Sequence, residues 1–217
     1  MVFLCVPRRG TTPLSQSASL MSAFRLKMKT DSTWVKHIVE GNIEEILTDH
    51  AYCEQKAASS AISFIVLYPE HEELVAGMAE LAQEEMGHFS MVHRLIVDRG
   101  FTLGRERKDS YVNELLKFIR IKGRGKEETL CDRLLFAAMI EARSCERFKV
   151  MSENIEDKEL ADFYYKLMVS EARHYTMFIA FARQYCPNID VDKRWHEFLE
   201  YEGEVITRYG KSKEIHG

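Results

Sequence analysis

Four stretches of this chain repeat apolar residues every three or four positions, and each sets a glutamate inside its apolar stripe. The first carries Ile43, Leu47, Ala51, Ala58, Ile62 and Ile65 around Glu54, and the second Leu74, Met78, Leu81, Phe89 and Val92 around Glu85. The third carries Leu134, Ala137, Ala138, Cys145 and Phe148 around Glu141, and the fourth Leu160, Tyr164, Leu167, Tyr175 and Phe178 around Glu171. That spacing is the period of one helix face. The breakers fall between the stretches: Tyr68-Pro69, where proline disfavours helix at the residue before it, Gly100, a residues 152–156 break, and Pro187. Only four prolines and 11 glycines interrupt 217 residues, which favours long helices over a turn-rich sheet. No segment reads as a strand.

The pattern repeats internally. Glu73-Leu74 lies 11 residues before Glu85, and Glu159-Leu160 lies 11 residues before Glu171. Two similar helical hairpins side by side make an all-α, antiparallel four-helix bundle. Shorter helices are expected over residues 111–120 and 190–209. Glu54 and Glu85 stand 31 residues apart around the first turn, Glu141 and Glu171 30 residues apart around the second. At about 1.5 Å per residue each pair sits at one height, roughly 20 Å from its turn. The second and fourth helices also carry Glu-x-x-His, as Glu85-Met-Gly-His88 and Glu171-Ala-Arg-His174. Singly that motif is weak, because a glutamate-rich chain produces one by chance. In register, Glu54, Glu85, His88, Glu141, Glu171 and His174 converge on one layer, the ligand pattern of carboxylate-bridged dinuclear metal bundles.

Four carboxylates on apolar stripes are costly to bury unpaired and repel one another. Two divalent metal ions would compensate them, and carboxylate with imidazole suits iron or manganese. The competing explanation is pairing with the nearby Arg143, Arg147 and Arg173, which leaves the histidines unexplained. Around the layer, His50 reads as a core or supporting histidine one turn before Glu54. Glu84 is placed to accept from a ligand histidine of the other hairpin or to face water. Cys145, one turn after Glu141, faces the pocket or packs as a small core residue. Tyr164 and Tyr175 read as packing.

The net charge of −4 announces no nucleic acid, but residues 98–126 hold nine Lys or Arg against four acids. Arg105, Arg107, Lys108, Lys117, Arg120, Lys122, Arg124 and Lys126 form a candidate phosphate-binding patch. The five cysteines form no C-x-x-C pair, which argues against a rubredoxin site, a zinc ribbon or a disulfide framework and points to a reducing cytoplasm. No run approaches the ~20 apolar residues of a membrane helix. Residues 1–30 contain no acid, are rich in serine, and hold Arg8, Arg9, Arg25, Lys27 and Lys29, a transit-peptide-like composition. The preferred expectation is a poorly ordered extension, or a start placed upstream of Met21 or Met28, ahead of one domain over 31–217.

Asp49-His-Ala-Tyr-Cys-Glu54-Gln-Lys-Ala-Ala-Ser59, Glu84-Glu85-Met-Gly-His88, Glu141-Ala-Arg-Ser-Cys-Glu-Arg147 and Ser170-Glu171-Ala-Arg-His174-Tyr175 resemble the MiaE family of tRNA hydroxylases, in the ferritin-like superfamily. The resemblance runs from about Trp34 to Trp195, and no ligand position departs from the pattern. It implies a di-iron monooxygenase that uses O2 and electrons from a separate electron-transfer protein to hydroxylate the isopentenyl side chain of 2-methylthio-N6-isopentenyladenosine in tRNA. It also implies iron ligation by Glu54, Glu85, His88, Glu141, Glu171 and His174. The alternatives are a ferritin-like di-metal protein acting on peroxide or on another small molecule, and a bundle using metal only as a staple.

Overall fold

The computed structural model describes residues 24–119 and 125–209, without the side chains of His37 and Ile38. After a π-helical turn, Val35–Val39, and a 3₁₀ turn, Glu40–Asn42, come α1 (Ile43–Leu67), α2 (Glu72–Asp98), α3 (Ser110–Leu116), α4 (Lys126–Asn154), α5 (Lys158–Tyr185) and α6 (Val191–Tyr209). No strand occurs among the described residues. The helix ends have local causes. Gly100 takes φ +73° after α2, the left-handed region that suits glycine. Asp157 caps α5 by accepting from the amides of Glu159 and Leu160, and Asp109 caps α3 by accepting from Val112. The short helix expected to reach Arg120 stops at Leu116.

The helices α1 and α2 form one hairpin and α4 and α5 the other. Helix α6 covers α3 and α4. Gly77 of α2 lets α5 close in, since a Cβ there would lie 2.8 Å from the Phe181 ring. The core is in two halves. One gathers Phe64, Leu74, Met78, Leu134 and Phe178; the other gathers Leu47, Val92, Phe148, Leu160 and Leu167. Between them lies the level of Glu54, Glu85, Glu141 and Glu171. Ile62, expected on the core stripe, is 53% exposed. The buried line of α1 instead steps through Leu47, Ala51, Glu54, Ala58, Ala61 and Phe64, and Ile62 stands about 100° away from Ala61.

Of the extension expected over residues 1–30, the described part, residues 24–30, lies against the bundle rather than apart from it. The buried Phe24 ring meets Tyr175 edge-on at 4.7 Å, and Thr30 donates through its amide and hydroxyl to Glu146. Residues 1–23 fall outside the described region.

Candidate metal centre

Each of the four long helices delivers its glutamate to the middle of the bundle, and α2 and α5 add a histidine one turn on. All six side chains are buried. They fall into two groups whose potential ligand atoms lie within 4.8 Å of one another: Glu54, Glu85, His88 and Glu171, and Glu85, Glu141, Glu171 and His174. Glu85 and Glu171 belong to both groups. The geometry is therefore two adjacent cation sites with two shared carboxylates, one unshared carboxylate each, and one histidine each.

The imidazoles point the same way. His88 Nδ1 faces inward, 3.2 Å from Glu85, 3.6 Å from Glu54 and 3.9 Å from Glu171. His174 Nδ1 faces inward, 2.9 Å from Glu85, 3.5 Å from Glu171 and 3.8 Å from Glu141. The outer Nε2 atoms converge on Glu84, 3.2 Å away for His174 and 3.9 Å for His88. Glu84 thus sits where a ligand histidine of the other hairpin needs an acceptor, and it also receives Ser170 Oγ and Arg173 Nη2, each at 2.6 Å.

Several atoms here lack an aligned hydrogen bond: Glu85 Oε1, Glu171 Oε1 and both nitrogens of His174. Buried orphans are rare, and a cluster of them on inward-facing carboxylates and an imidazole fits cations. Two divalent ions would offset the four carboxylate charges, and carboxylate oxygen with imidazole nitrogen is the donor set that iron accepts. The competing arginines are occupied elsewhere. Arg143 donates to Glu202 and Glu146, Arg147 lies 4.2 Å over the Trp34 ring, and Arg173 is largely exposed at Glu84. Two residues along a helix is about 200°, so Arg143 points away from the layer that Glu141 enters.

Without metal, protons hold the layer together. Burial lifts the Glu54 carboxyl to about 7 against the pull of His50 and His88. Burial, with Glu141 and Glu85 beside it, pushes Glu171 well above the carboxylate range. Burial would lower His88, but contact with Glu54 and Glu85 prevails and carries it to about 10. His174 likewise rises against its burial, through Glu141, Glu171 and Glu85, and Glu85 is held low by the two histidines. Glu54 and His88 both bind protons more tightly in the fold than their ordinary values of 4.5 and 6.5. Their contribution to stability is complete below those ordinary values and is lost as pH rises through about 7 and then about 10. The metal-free protein should therefore melt at falling temperatures between about pH 5 and pH 10, while added metal, which displaces those protons, should protect increasingly toward high pH. Thermal melts across that range, with and without metal, test this; a metal-free Tm that climbs with pH contradicts it.

His50 lies behind Glu54, with Nε2 at 2.7 Å from its carboxylate and the ring among Phe148, Phe163 and Tyr164. Cys145 packs in the core and donates to the Met168 carbonyl at 3.1 Å. The thiol that lines the centre is Cys53. It borders a small void with Glu54, Glu85, Glu141 and Ser144, and also a cavity of about 110 Å³. That cavity is walled by Leu81, Phe136, Ala137, Ile140 and Phe178 and edged by Lys56, Ser60, Asp109 and Val112. The two spaces share Cys53, Ala57, Ile140 and Glu141, so the apolar cavity ends at the metal layer. Sequence reasoning did not single out these residues. Cys53, Lys56, Ala57 and Ser60 form the stripe beside Glu54, and that helical spacing was the available signal.

The candidate phosphate contacts are mixed. Arg105, Lys108, Lys117 and Lys126 are exposed; Arg107 pairs with Glu45 at 3.1 Å, and Lys117 with Glu114. Arg120, Lys122 and Arg124 lie outside the described residues. No described helix is long and apolar enough to cross a membrane.

The family model for tRNA-(MS[2]IO[6]A)-hydroxylase (MiaE) matches residues 18–217. A tRNA 2-(methylsulfanyl)-N(6)-isopentenyladenosine(37) hydroxylase of Pseudomonas putida is 38% identical over 162 residues, 75% of this chain and 77% of its own. The protein of that name from Salmonella typhimurium is 27% identical over 239 residues, covering 88% of this chain and 87% of its own. Among solved structures, Protein 43 with aldehyde deformylating oxygenase activity, from Synechococcus, superposes with a TM-score of 0.80 at 30% identity, over 88% of this chain and 95% of its own. By sequence over nearly its whole length and by its ferritin-like bundle, the chain belongs to the MiaE family of tRNA hydroxylases.

Proposed function

We propose that this chain hydroxylates the isopentenyl side chain of 2-methylthio-N6-isopentenyladenosine at position 37 of tRNA, using two iron ions, O2 and electrons from a separate protein. The observation that carries the proposal is the apolar cavity ending on a pair of adjacent cation sites. Glu54, His88 and the shared Glu85 and Glu171 would hold one iron, and Glu141, His174 and the same shared pair the other. Bound there, the irons supply the activation of O2 that no side chain provides. The balance is one C–H bond, O2, two electrons and two protons giving one alcohol and one water.

The protein's own residues do the placing. A cavity of roughly 150 Å³ lined by apolar side chains takes a benzene-sized guest in other cores, and about 110 Å³ between Ile140, Ala137, Phe178 and Leu81 suits a branched five-carbon chain. Those walls keep water from the reacting methyl group and aim it at the layer. The adenine would remain at the rim, near Lys56, Ser60 and Asp109. Lys108 adjoins Asp109, so the basic stretch borders the rim. Arg105, Lys108 and Lys126, with Arg107, Lys117, Arg120, Lys122 and Arg124, are the proposed phosphate contacts. The ion pairs at Arg107 and Lys117 are surface pairs of about 0–1 kcal/mol, which phosphate can displace. The site of action is the compartment that holds the tRNA, the cytoplasm.

Filling the cavity should separate chemistry from metal binding. Ala57→Phe is expected to retain both metals and to lose hydroxylation by about 100-fold, ~3 kcal/mol at the transition state. Metal analysis beside product formation checks it; unaffected turnover would move the substrate channel elsewhere. The proposal itself is tested by product mass. Iron-loaded, reduced protein is mixed with air and tRNA bearing the methylthio-isopentenyl nucleoside, the tRNA is digested, and that nucleoside is weighed. One added oxygen supports the reading. No added oxygen, with metal bound and reduced, refutes it.

A further inference from the structure

If the chain is the oxygenase proposed above, two electrons must reach a buried layer from outside it, and this inference rests on that reading. The chain's cysteines form no paired motif for an iron–sulfur cluster of its own. Electron transfer weakens steeply with distance, so the donor must dock where the layer comes closest to solvent. The cavity mouth, between α1, α3 and α4, is taken by the tRNA base. On the opposite side of the bundle, α2 and α5 pack with Glu84 between them. Its side chain is 35% exposed, touches the outer nitrogen of His174 at 3.2 Å and accepts from the 66% exposed Arg173. This is a two-residue path from metal layer to surface.

The surface above that path has the make-up of a docking site. Glu84, Gly87, Met91 and Arg94 follow one another at helical spacing on α2; Lys166, Ser170 and Arg173 do so on α5. Gly87 is exposed, and a Cβ there would meet nothing within 4 Å, so the backbone is bare. Met91 and Val169 are 46% and 43% exposed, and a cleft bounded by Met91, Arg94 and Phe163 lies beside them. Arg94, Lys166 and Arg173 surround this apolar centre; the acids Asp98 and Glu159 lie toward the far end, where Arg99 holds Glu159. A protein of net charge −4 thus shows an apolar patch with a basic border directly over its buried site.

We propose that the α2–α5 face around Met91, Val169, Arg94 and Lys166 is the docking surface for a small acidic iron–sulfur electron carrier, with Glu84 and His174 as the route inward. Each encounter oxidises the carrier by one electron and reduces the metal layer by one, and two encounters serve one turnover. Docking on the face opposite the cavity lets electrons arrive while tRNA is bound.

The probe is a reduced plant-type [2Fe–2S] ferredoxin, which is acidic. Two readouts are taken: its binding to the protein by titration, with and without metal, and the rate at which it reduces the iron-loaded protein. The variant is Arg94→Glu with Lys166→Glu, which leaves Arg173 and Glu84 in place; the control is Arg105→Glu with Lys108→Glu on the other face. Binding and reduction should each fall about tenfold or more at low salt in the variant, with the salt dependence flattened, and should not change in the control. Reduction by methyl viologen radical should be the same in all three proteins. Equal ferredoxin rates in wild type and variant, an equal loss in the control, or no binding by wild type would each overturn the docking face. Those outcomes leave the oxygenase reading standing if viologen-reduced wild type still adds oxygen to the tRNA nucleoside; if it does not, the underlying reading has failed instead.

Discussion

Glu85→Ala and Glu171→Ala proteins are expected to bind no metal at all, whereas Glu54→Ala and Glu141→Ala proteins keep a weakened single site. The difference follows from sharing. Glu85 and Glu171 each contribute to both groups of ligand atoms, while Glu54 and Glu141 each serve one. Removing a shared carboxylate takes a ligand from both sites and leaves the two bound cations without their screening charge. Removing an unshared one leaves the other site with its own glutamate, its histidine and both bridges. All four variants should fail to hydroxylate, because the reaction requires the pair. Elemental analysis after iron loading distinguishes the two classes, and circular dichroism confirms the fold. If Glu85→Ala retains one tightly bound iron, the shared arrangement is wrong.

The second large effect lies outside the metal layer. Arg143 of α4 and Glu202 of α6 are both fully buried. Arg143 Nη2 and Nε reach Glu202 Oε1 at 2.6 and 2.9 Å, Tyr111 of α3 donates to the same oxygen at 3.0 Å, and Arg143 Nη1 reaches Glu146 at 2.9 Å. Glu202→Leu leaves a guanidinium buried without its main partner, which costs about 3–5 kcal/mol. For a chain of this size that is a Tm lower by roughly 10 °C. Arg143→Met combined with Glu202→Leu removes both charges together and should recover most of the loss. Chemical denaturation of the two single variants and the double variant measures the coupling. A Glu202→Leu protein as stable as wild type would show that the pair does not hold α6 on the bundle.

The same pair marks where the sequence stops being legible. The long helices could be read because each buries one stripe, and stripe, turn and glutamate register all agree. The helix α4 departs from that. It is buried nearly all round, with Asp132, Arg143, Glu146 and Arg147 inside along with its apolar side chains. A helix covered on its outer face by α3, α6 and residues 24–30 has no polar stripe to read, and Arg143 and Arg147 looked like partners for the wrong glutamates. Ile62 misled for the converse reason: an apolar residue one step off the buried line is tolerated at the surface. The ligand set was legible because burying a charge is costly enough to need a reason. The identity of the bridging pair was not, because spacing along a helix gives height and face but not which carboxylate reaches across.

The division of the core into two apolar halves has a consequence for how the molecule opens. Helices in most bundles fray from their tips, where packing is thinnest. Here the apolar packing lies toward the two ends, and the midpoints of the four long helices meet at a layer whose mutual attraction depends on metal or on protons. Stripped of metal at alkaline pH, the bundle should be weakest at its waist. Amide hydrogens near Glu54, Glu85, Glu141 and Glu171 should then exchange ahead of those several turns away on either side. Metal would act as a belt, and its loss would be felt first at the centre of the molecule.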